Sequence, residues 1–400
     1  MDYSKLGLNN KLQSLSSLAV KKLPTDKPNL ENKDFFPPGA INYSRLTAEQ
    51  RVYQAIVDRG ASSGTFQNIQ DALNYVNSLG GGRILVMPGT YTISSVLTIY
   101  SDTILEGLSP VDCVINFNAT TNNLVVADAA ISITIANLDI RNSINTNGAI
   151  YVNNTSATSN LVKIVNCIFR TNTVDIGANR AGGITVEGCT SSLSTQFYLA
   201  TNATGLNRFR GCEFYSTSSW VFQNARQVNI YDNYFQTPGT HVFRGDMDNS
   251  FITNNVFNSA GSVAALSISA TDNLRVTNNF FVTYAILGTV SNSQFTGNVF
   301  QSAVTGINCV QMDGCSDTMV SNNKIDTGTQ ADIDGINLGT NCDNNVFTGN
   351  AIDMQAGTPS YAVNIVDTTS SRNVIVGNYL NANTADINDG GTLTITAGNS

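Results

Sequence analysis

Asp248 and Asp272 are the pair of residues in this sequence best placed for acid–base chemistry. They belong to a column that recurs once per repeat: Gly182, Gly205, Arg226, Asp248, Asp272, Ser291, Ser316, Asp343 and Ser371. If consecutive members stack at a strand spacing of about 4.8 Å, the two carboxyls come within about 5 Å, the separation used by retaining glycosidases. Such a pair could share one proton or bind calcium. Arg226 lies one repeat earlier, and Asp246 and His241 are close in sequence. Asp, Asn and Ser also favour turns for backbone reasons, so the column equally suits a row of corners with no chemistry.

A second set of candidates comes from strand alternation. If Phe197/Leu199, Trp220/Phe222, His241/Phe243 and Leu266/Ile268 point inward, then Tyr151, Asp175, Tyr198, Gln223, Arg244 and Ser267 point outward on one sheet. Aromatics with Gln, Asp and Arg on a flat face suit sugar rings and hydroxyls, although the same face could simply be solvated. We therefore expect Tyr151, Asp175, Tyr198, Gln223, Arg226 and Arg244 to contact substrate. Asp326, Asp332 and Asp334 near Lys324 form an acidic cluster that reads as a surface loop. The single histidine, His241, excludes a His-rich metal site, and seven cysteines without a CxxC pair exclude zinc-ribbon and thioredoxin-like chemistry.

The elements that must carry these residues are visible as a repeat. A column at 137, 167, 189, 212, 233, 255, 279, 298, 323, 350 and 378 holds Asn, three Cys and then seven Asn, at a mean step of about 24 residues. Two residues later Phe169, Phe214, Phe235, Phe257, Phe281 and Phe300 form a second column, continued by Ile325, Ile352 and Leu380. Three residues earlier the chain is mostly β-branched or aromatic, from Ile164 to Ile375. This period is too short for helical repeats or propeller blades and lacks a 3.6-residue pattern. It predicts an all-β parallel β-helix of about a dozen coils, roughly 60 Å long at the strand spacing. The Asn/Cys column then forms an asparagine ladder at an internal turn, with Cys167, Cys189 and Cys212 as inert buried thiols.

Ahead of the coils, Phe66, Ile69, Ala72, Leu73, Val76 and Leu79 have helical spacing, and Gly80-Gly81-Gly82 ends the helix. This amphipathic helix would cap the open N-terminal end of the core. The run Ile69-Gln70-Asp71-Ala72-Leu73, the glycine stop, Val86-Met87-Pro88-Gly89-Thr90-Tyr91 and the Asn-Asn-x-Phe repeats resemble the right-handed parallel β-helix (pectate-lyase-like) superfamily over residues 52–400. That resemblance implies the fold, and it admits lyases, glycosidases, esterases, epimerases, phage tailspikes and inert rods. The Asn-Thr-Asp, Gly-His-Gly and Arg-Ile-Lys motifs of polygalacturonase-like members are absent. So are the Trp-x-Asp-His and Arg-x-Pro-x-x-Arg signatures of calcium pectate lyases. Plant pectin is therefore a poor substrate candidate.

Charge divides the chain. Residues 1–60 hold nine Lys/Arg against six Asp/Glu, whereas the remainder holds twelve against twenty-three with only Lys163 and Lys324 as lysines. An acidic body so poor in lysine argues against nucleic acid as a partner. No apolar run reaches the roughly 20 residues of a membrane helix, and no hydrophobic leader follows Met1. Residues 1–51, with Pro24, Pro28 and Pro37-Pro38, read as an extended arm. Residues 52–83 form the capping strand and helix, and residues 84–400 the β-helix. The arm resembles the attachment segment of phage tail spikes and fibres. That resemblance implies a homotrimer on a virion or extracellular surface, joined by its arm to a larger assembly. Such a spike would bind, and could depolymerise, a cell-surface polysaccharide. A non-enzymatic structural or adhesive rod and a secreted bacterial polysaccharide lyase or hydrolase are the alternatives.

Overall fold

A computed structural model describes residues 53–60, 66–153, 159–202, 205–215, 220–238, 243–260, 264–301, 306–326, 333–354, 361–382 and 384–400. The expected arm at 1–51 lies outside them. The described chain winds through three parallel sheets in strict rotation, and each strand pairs with its counterpart one coil earlier and one coil later. Sheet A runs from Ala55–Val57 to Ile395–Ala397 in 15 strands. Sheet B runs from Gly89–Thr92 to Tyr379–Asn381, and sheet C from Leu97–Ile99 to Ala385–Asp389, each in 13 strands. The architecture is the expected all-β parallel solenoid.

The turn from sheet A to sheet B explains the Asn-Asn and Gly-Asn dipeptides. The first residue adopts a left-handed conformation: Asn254 has φ 57°, Asn278 φ 56°, Gly297 φ 69° and Asn322 φ 55°. Asparagine and glycine tolerate that region where other residues are strained. The second residue turns its side chain into the core and bonds along the rod. Asn255 Nδ2 donates to Asn279 Oδ1 at 3.0 Å, and the same oxygen accepts the backbone N–H of Asn255 at 2.9 Å. This pattern repeats through Asn298, Asn323, Asn350 and Asn378. Upstream, the N–H groups of Cys167 and Cys189 point at the sulfurs of Cys189 and Cys212. All seven cysteines are free and buried, and burial pushes the Cys189 thiol well above its ordinary range.

Two residues beyond, the phenylalanines form a stack. Ring centroids of Phe214, Phe235, Phe257, Phe281 and Phe300 follow one another at 4.9, 4.9, 4.8 and 4.7 Å, with interplanar angles falling to 4°. Each stacked pair contributes about 1 kcal/mol beyond area burial. Asn137 departs from the expected column. It takes the left-handed position, φ 54°, and accepts from Asn166, so the buried Leu138 stands in register with Cys167.

Among the described residues one helix, Ile69–Ser78, precedes the coils. Asn68 caps it by accepting the Gln70 N–H at 2.8 Å, and Ile69, Ala72, Leu73 and Val76 join the core. Among the described residues no helix is long and apolar enough to cross a membrane.

Candidate functional site

Of the residues expected on the outer face of sheet C, the strand register puts Tyr151, Gln223 and Arg244 at outward positions. Ile150, Ile176 and Tyr198 align, as do Val152, Ala178 and Ala200, and these are the inward pairs. Tyr151, Gly177, Leu199, Val221, Arg244 and Ser267 form the outward row. Arg244 and Gln223 thus occupy outward register positions, Gln223 beside Thr201. Their side chains lie outside the described residues, as do His241 and Asp332.

Two expectations for this face are corrected. Tyr198 is fully buried and packs edge-on to Phe209 at 4.7 Å. Asp175 is also fully buried. The cause is the corner between sheets B and C, where the chain bends and sends two successive residues inward: Asp175 with Ile176, and Phe197 with Tyr198. Period-2 alternation does not survive such a corner. Trp220, in line with Tyr198 through the sheet, is core as well.

Asp175 is instead the centre of an internal polar knot. Its Oδ1 accepts from Asn172 Nδ2 at 2.8 Å and from the Ser194 hydroxyl at 2.7 Å, and its Oδ2 accepts from Ser191. Burial raises its pKa to about 7 against the lowering effect of these three donors.

Tyr151 does occupy the surface. It lines a shallow groove with Asn179, Leu199 and Thr201, and Asn147 forms the edge. Gly177 makes this possible. A β-carbon there would fall 1.5 Å from the Asn147 carbonyl oxygen and 3.2 Å from Tyr151 Cδ2. The loop over it is held by Asn145, which accepts the Asn147 N–H and donates to the Thr121 carbonyl. Asn179 Nδ2 donates to Asn153 Oδ1 at 2.9 Å beside the groove. An aromatic ring flanked by amides and a hydroxyl is the arrangement that stacks on a sugar and bonds its hydroxyls.

The turn column behaves as one hydrogen-bonded row. Arg226 Nε lies 3.7 Å from Asp248 Oδ2, with both side chains partly exposed. Asp248 Oδ1 accepts the backbone N–H of Asp272 at 2.9 Å. Asp272 Oδ1 in turn accepts from Asn292 Nδ2 at 2.8 Å and from the Ser291 hydroxyl at 3.0 Å, which holds the Asp272 carboxyl below its usual range. Asp343 repeats the device with the N–H and hydroxyl of Ser371. The two expected carboxylates therefore stand on neighbouring coils, and Asp272 is kept ionised. The acidic cluster is dispersed: Asp326 pairs in register with Asp353 on sheet B, whereas Asp334 accepts from Asn337, Asn364 and the Tyr361 N–H on sheet C. Among the described residues no group of three or more His, Cys, Asp or Glu comes together that could hold a metal ion.

Sequence reasoning missed a second aromatic pair. On the outer face of sheet B, Tyr215 and Tyr234 approach to 6.1 Å between ring centroids. Their hydroxyls reach Glu213 and Gln236 at 3.1 and 3.3 Å. They sit at the Phe214/Phe235 repeat, where only the inward column was conspicuous.

No family model matches the chain, and no curated protein matches it. Solved structures do. The A-module of the Azotobacter vinelandii mannuronan C-5 epimerase AlgE6 is 14% identical, with a TM-score of 0.53 over 83% of this chain and 94% of its own. The tailspike protein of E. coli bacteriophage HK620, solved with a pentasaccharide, is 12% identical, with a TM-score of 0.51 over 85% of this chain and 78% of its own. The DFA-IIIase of Arthrobacter chlorophenolicus A6, solved with DFA-III, is 12% identical, with a TM-score of 0.55 over 72% of this chain and 92% of its own. At these identities the likeness is one of fold, and it places the chain among parallel β-helix proteins.

Proposed function

We propose that this protein is a polysaccharide-binding β-helix of the phage tailspike type, working as a homotrimer and joined through residues 1–51 to a larger assembly. The observation that carries the reading is the Tyr151 groove, a partly exposed ring laid over Gly177 and edged by Asn147, Asn179 and Thr201. The fold supports it: sheet faces stacked coil on coil offer a flat, repeating surface commensurate with a polymer. Similar structures include a tailspike solved with a pentasaccharide and a mannuronan epimerase module. Asp248 and Asp272 remain the proposed hydrolytic pair. In that role Asp272, held ionised by Ser291 and Asn292, is the carboxylate member of the pair.

One observation favours binding without cleavage. Asp248, Asp272 and Asp343 all spend an oxygen on the next coil, which is a structural use shared by the three aspartates of the row. A panel of capsular and O-antigen polysaccharides separates the readings, with binding followed together with reducing ends and the absorbance of unsaturated uronates. Binding with no product supports a spike that only adheres, and reducing ends lost in Asp248→Asn assign hydrolysis to the pair. A protein that binds none of the panel is a structural rod. Light scattering of the purified full chain tests the trimer, and a monomeric mass overturns it.

A further inference from the structure

On the outer face of sheet B, Arg141 and Arg170 stand directly side by side on neighbouring strands. Like charges so placed repel one another. Their alternation with the buried Ile140 and Phe169 puts both outward. Asp139, on the same strand as Arg141, offsets one of the two charges: its Oδ2 lies 3.5 Å from Arg170 Nε. Asp139 is only 2% exposed, so it is sealed beneath the arginines. Burial raises its pKa, and both guanidinium groups oppose the rise. Three buried polar atoms are nonetheless left without a hydrogen bond at this one spot: Asp139 Oδ1, Arg141 Nε and Arg170 Nε. Such atoms are costly, and the arginines, both partly exposed, carry one guanidinium charge more than Asp139 offsets.

The same outward row continues from Arg170 through Ser192 to Tyr215. Tyr215 is therefore two strand steps beyond Arg170, about 10 Å at the parallel spacing. Tyr215 is 40% exposed. Asn258 Nδ2 donates to the Tyr234 hydroxyl at 3.2 Å, which fixes the second ring of the pair. A cationic patch and an aromatic platform thus share one flat face, spaced by about the length of a disaccharide.

We infer that the outer face of sheet B binds an acidic polysaccharide, with Arg141 and Arg170 receiving a uronate carboxylate and Tyr215 and Tyr234 stacking on sugars two and three coils along the rod. The carboxylate neutralises the surplus guanidinium charge and supplies acceptors matched to the planar donors of arginine. This rests on the polysaccharide reading and adds the charge class and a second face.

The test is equilibrium binding of the full chain to polygalacturonate, dextran sulfate and neutral dextran. Wild type, Arg141→Gln, Arg141→Lys and Tyr215→Ala are compared, with Arg275→Gln on sheet A as a control. Polygalacturonate binding should weaken roughly 10-fold in Arg141→Gln and in Tyr215→Ala, recover in part in Arg141→Lys, and stay unchanged in Arg275→Gln. It should also weaken as salt rises from about 0.05 to 0.5 M. Equal affinity for dextran sulfate assigns the arginines to anions in general and overturns the carboxylate. Tight dextran binding indifferent to every variant overturns this inference and leaves the polysaccharide reading intact, whereas no binding to any polymer counts against both.

Discussion

The backbone N–H of Asp272 donates to Oδ1 of Asp248 across one coil, at 2.9 Å. The pair is therefore linked through main chain and side chain, with Oδ1 of each carboxylate spent on a hydrogen bond. Removing the acceptor in Asp248→Ala should cost about 1 kcal/mol of stability by urea titration, the value of a partly exposed hydrogen bond. Polysaccharide affinity should not change. Reducing-end release lost without a loss of stability would support the hydrolytic role of the pair, whereas release unchanged in the variant would leave the row a structural one.

Asp175 makes the protein sensitive to pH in an unusual direction. Its folded pKa of about 7 lies above the ordinary unfolded value of about 3.9. Between these values the folded state holds a proton that the unfolded state has lost. Stability therefore falls as pH rises from about 4 to 7 and levels off above, by about 4 kcal/mol in total. Asp175→Asn removes the titrating group, keeps an oxygen acceptor for Asn172 and Ser194, and places an NH2 donor where Oδ2 accepted from Ser191, whose hydroxyl can turn to accept it. Urea midpoints at pH 5 and pH 8 should show this term in wild type and lose it in the variant, with the variant the more stable at pH 8. Equal pH dependence in the two proteins would show that Asp175 does not titrate in this range.

Neighbouring asparagines should respond oppositely to substitution. Asn279 accepts two hydrogen bonds from Asn255 and donates to the Ile252 carbonyl inside the core. Asn279→Ala leaves buried groups unpaired and should cost about 3 kcal/mol. Asn278, at φ 56°, supplies only a left-handed backbone. Asn278→Gly should be close to neutral, and Asn278→Val should be destabilising. Denaturant midpoints of the three variants check the ordering.

The fold was legible because a solenoid repeats its instructions. Most coils pair a left-handed residue with an amide that bonds along the axis and an inward aromatic or aliphatic side chain, so the Asn-Asn-x-Phe pattern recurs. Asn137 could not be placed by pattern alone, since an asparagine fits either the left-handed position or the stacked one. Its neighbour Leu138 decides which, and only the register reveals it. On sheet C alternation put Tyr151 outward, where it lies, and wrongly put Asp175 and Tyr198 there too. Alternation is a property of straight strands, and nothing in one sequence marks where a corner interrupts it. The Arg141–Arg170 patch was invisible for another reason. Its two residues are 29 positions apart, in coils whose lengths differ, so their contact depends on loops that carry no repeat signal.

The central claim, that the groove over Gly177 holds sugar, is tested most directly by binding isotherms of wild type and Tyr151→Ala. The ligand is the polymer bound most tightly in the capsular and O-antigen panel. Tyr151 is partly exposed and outside the core, so the variant should fold with an unchanged denaturant midpoint. The account predicts affinity lower by roughly 10-fold, the loss expected when one aromatic platform is removed. Wild-type affinity in Tyr151→Ala would contradict it.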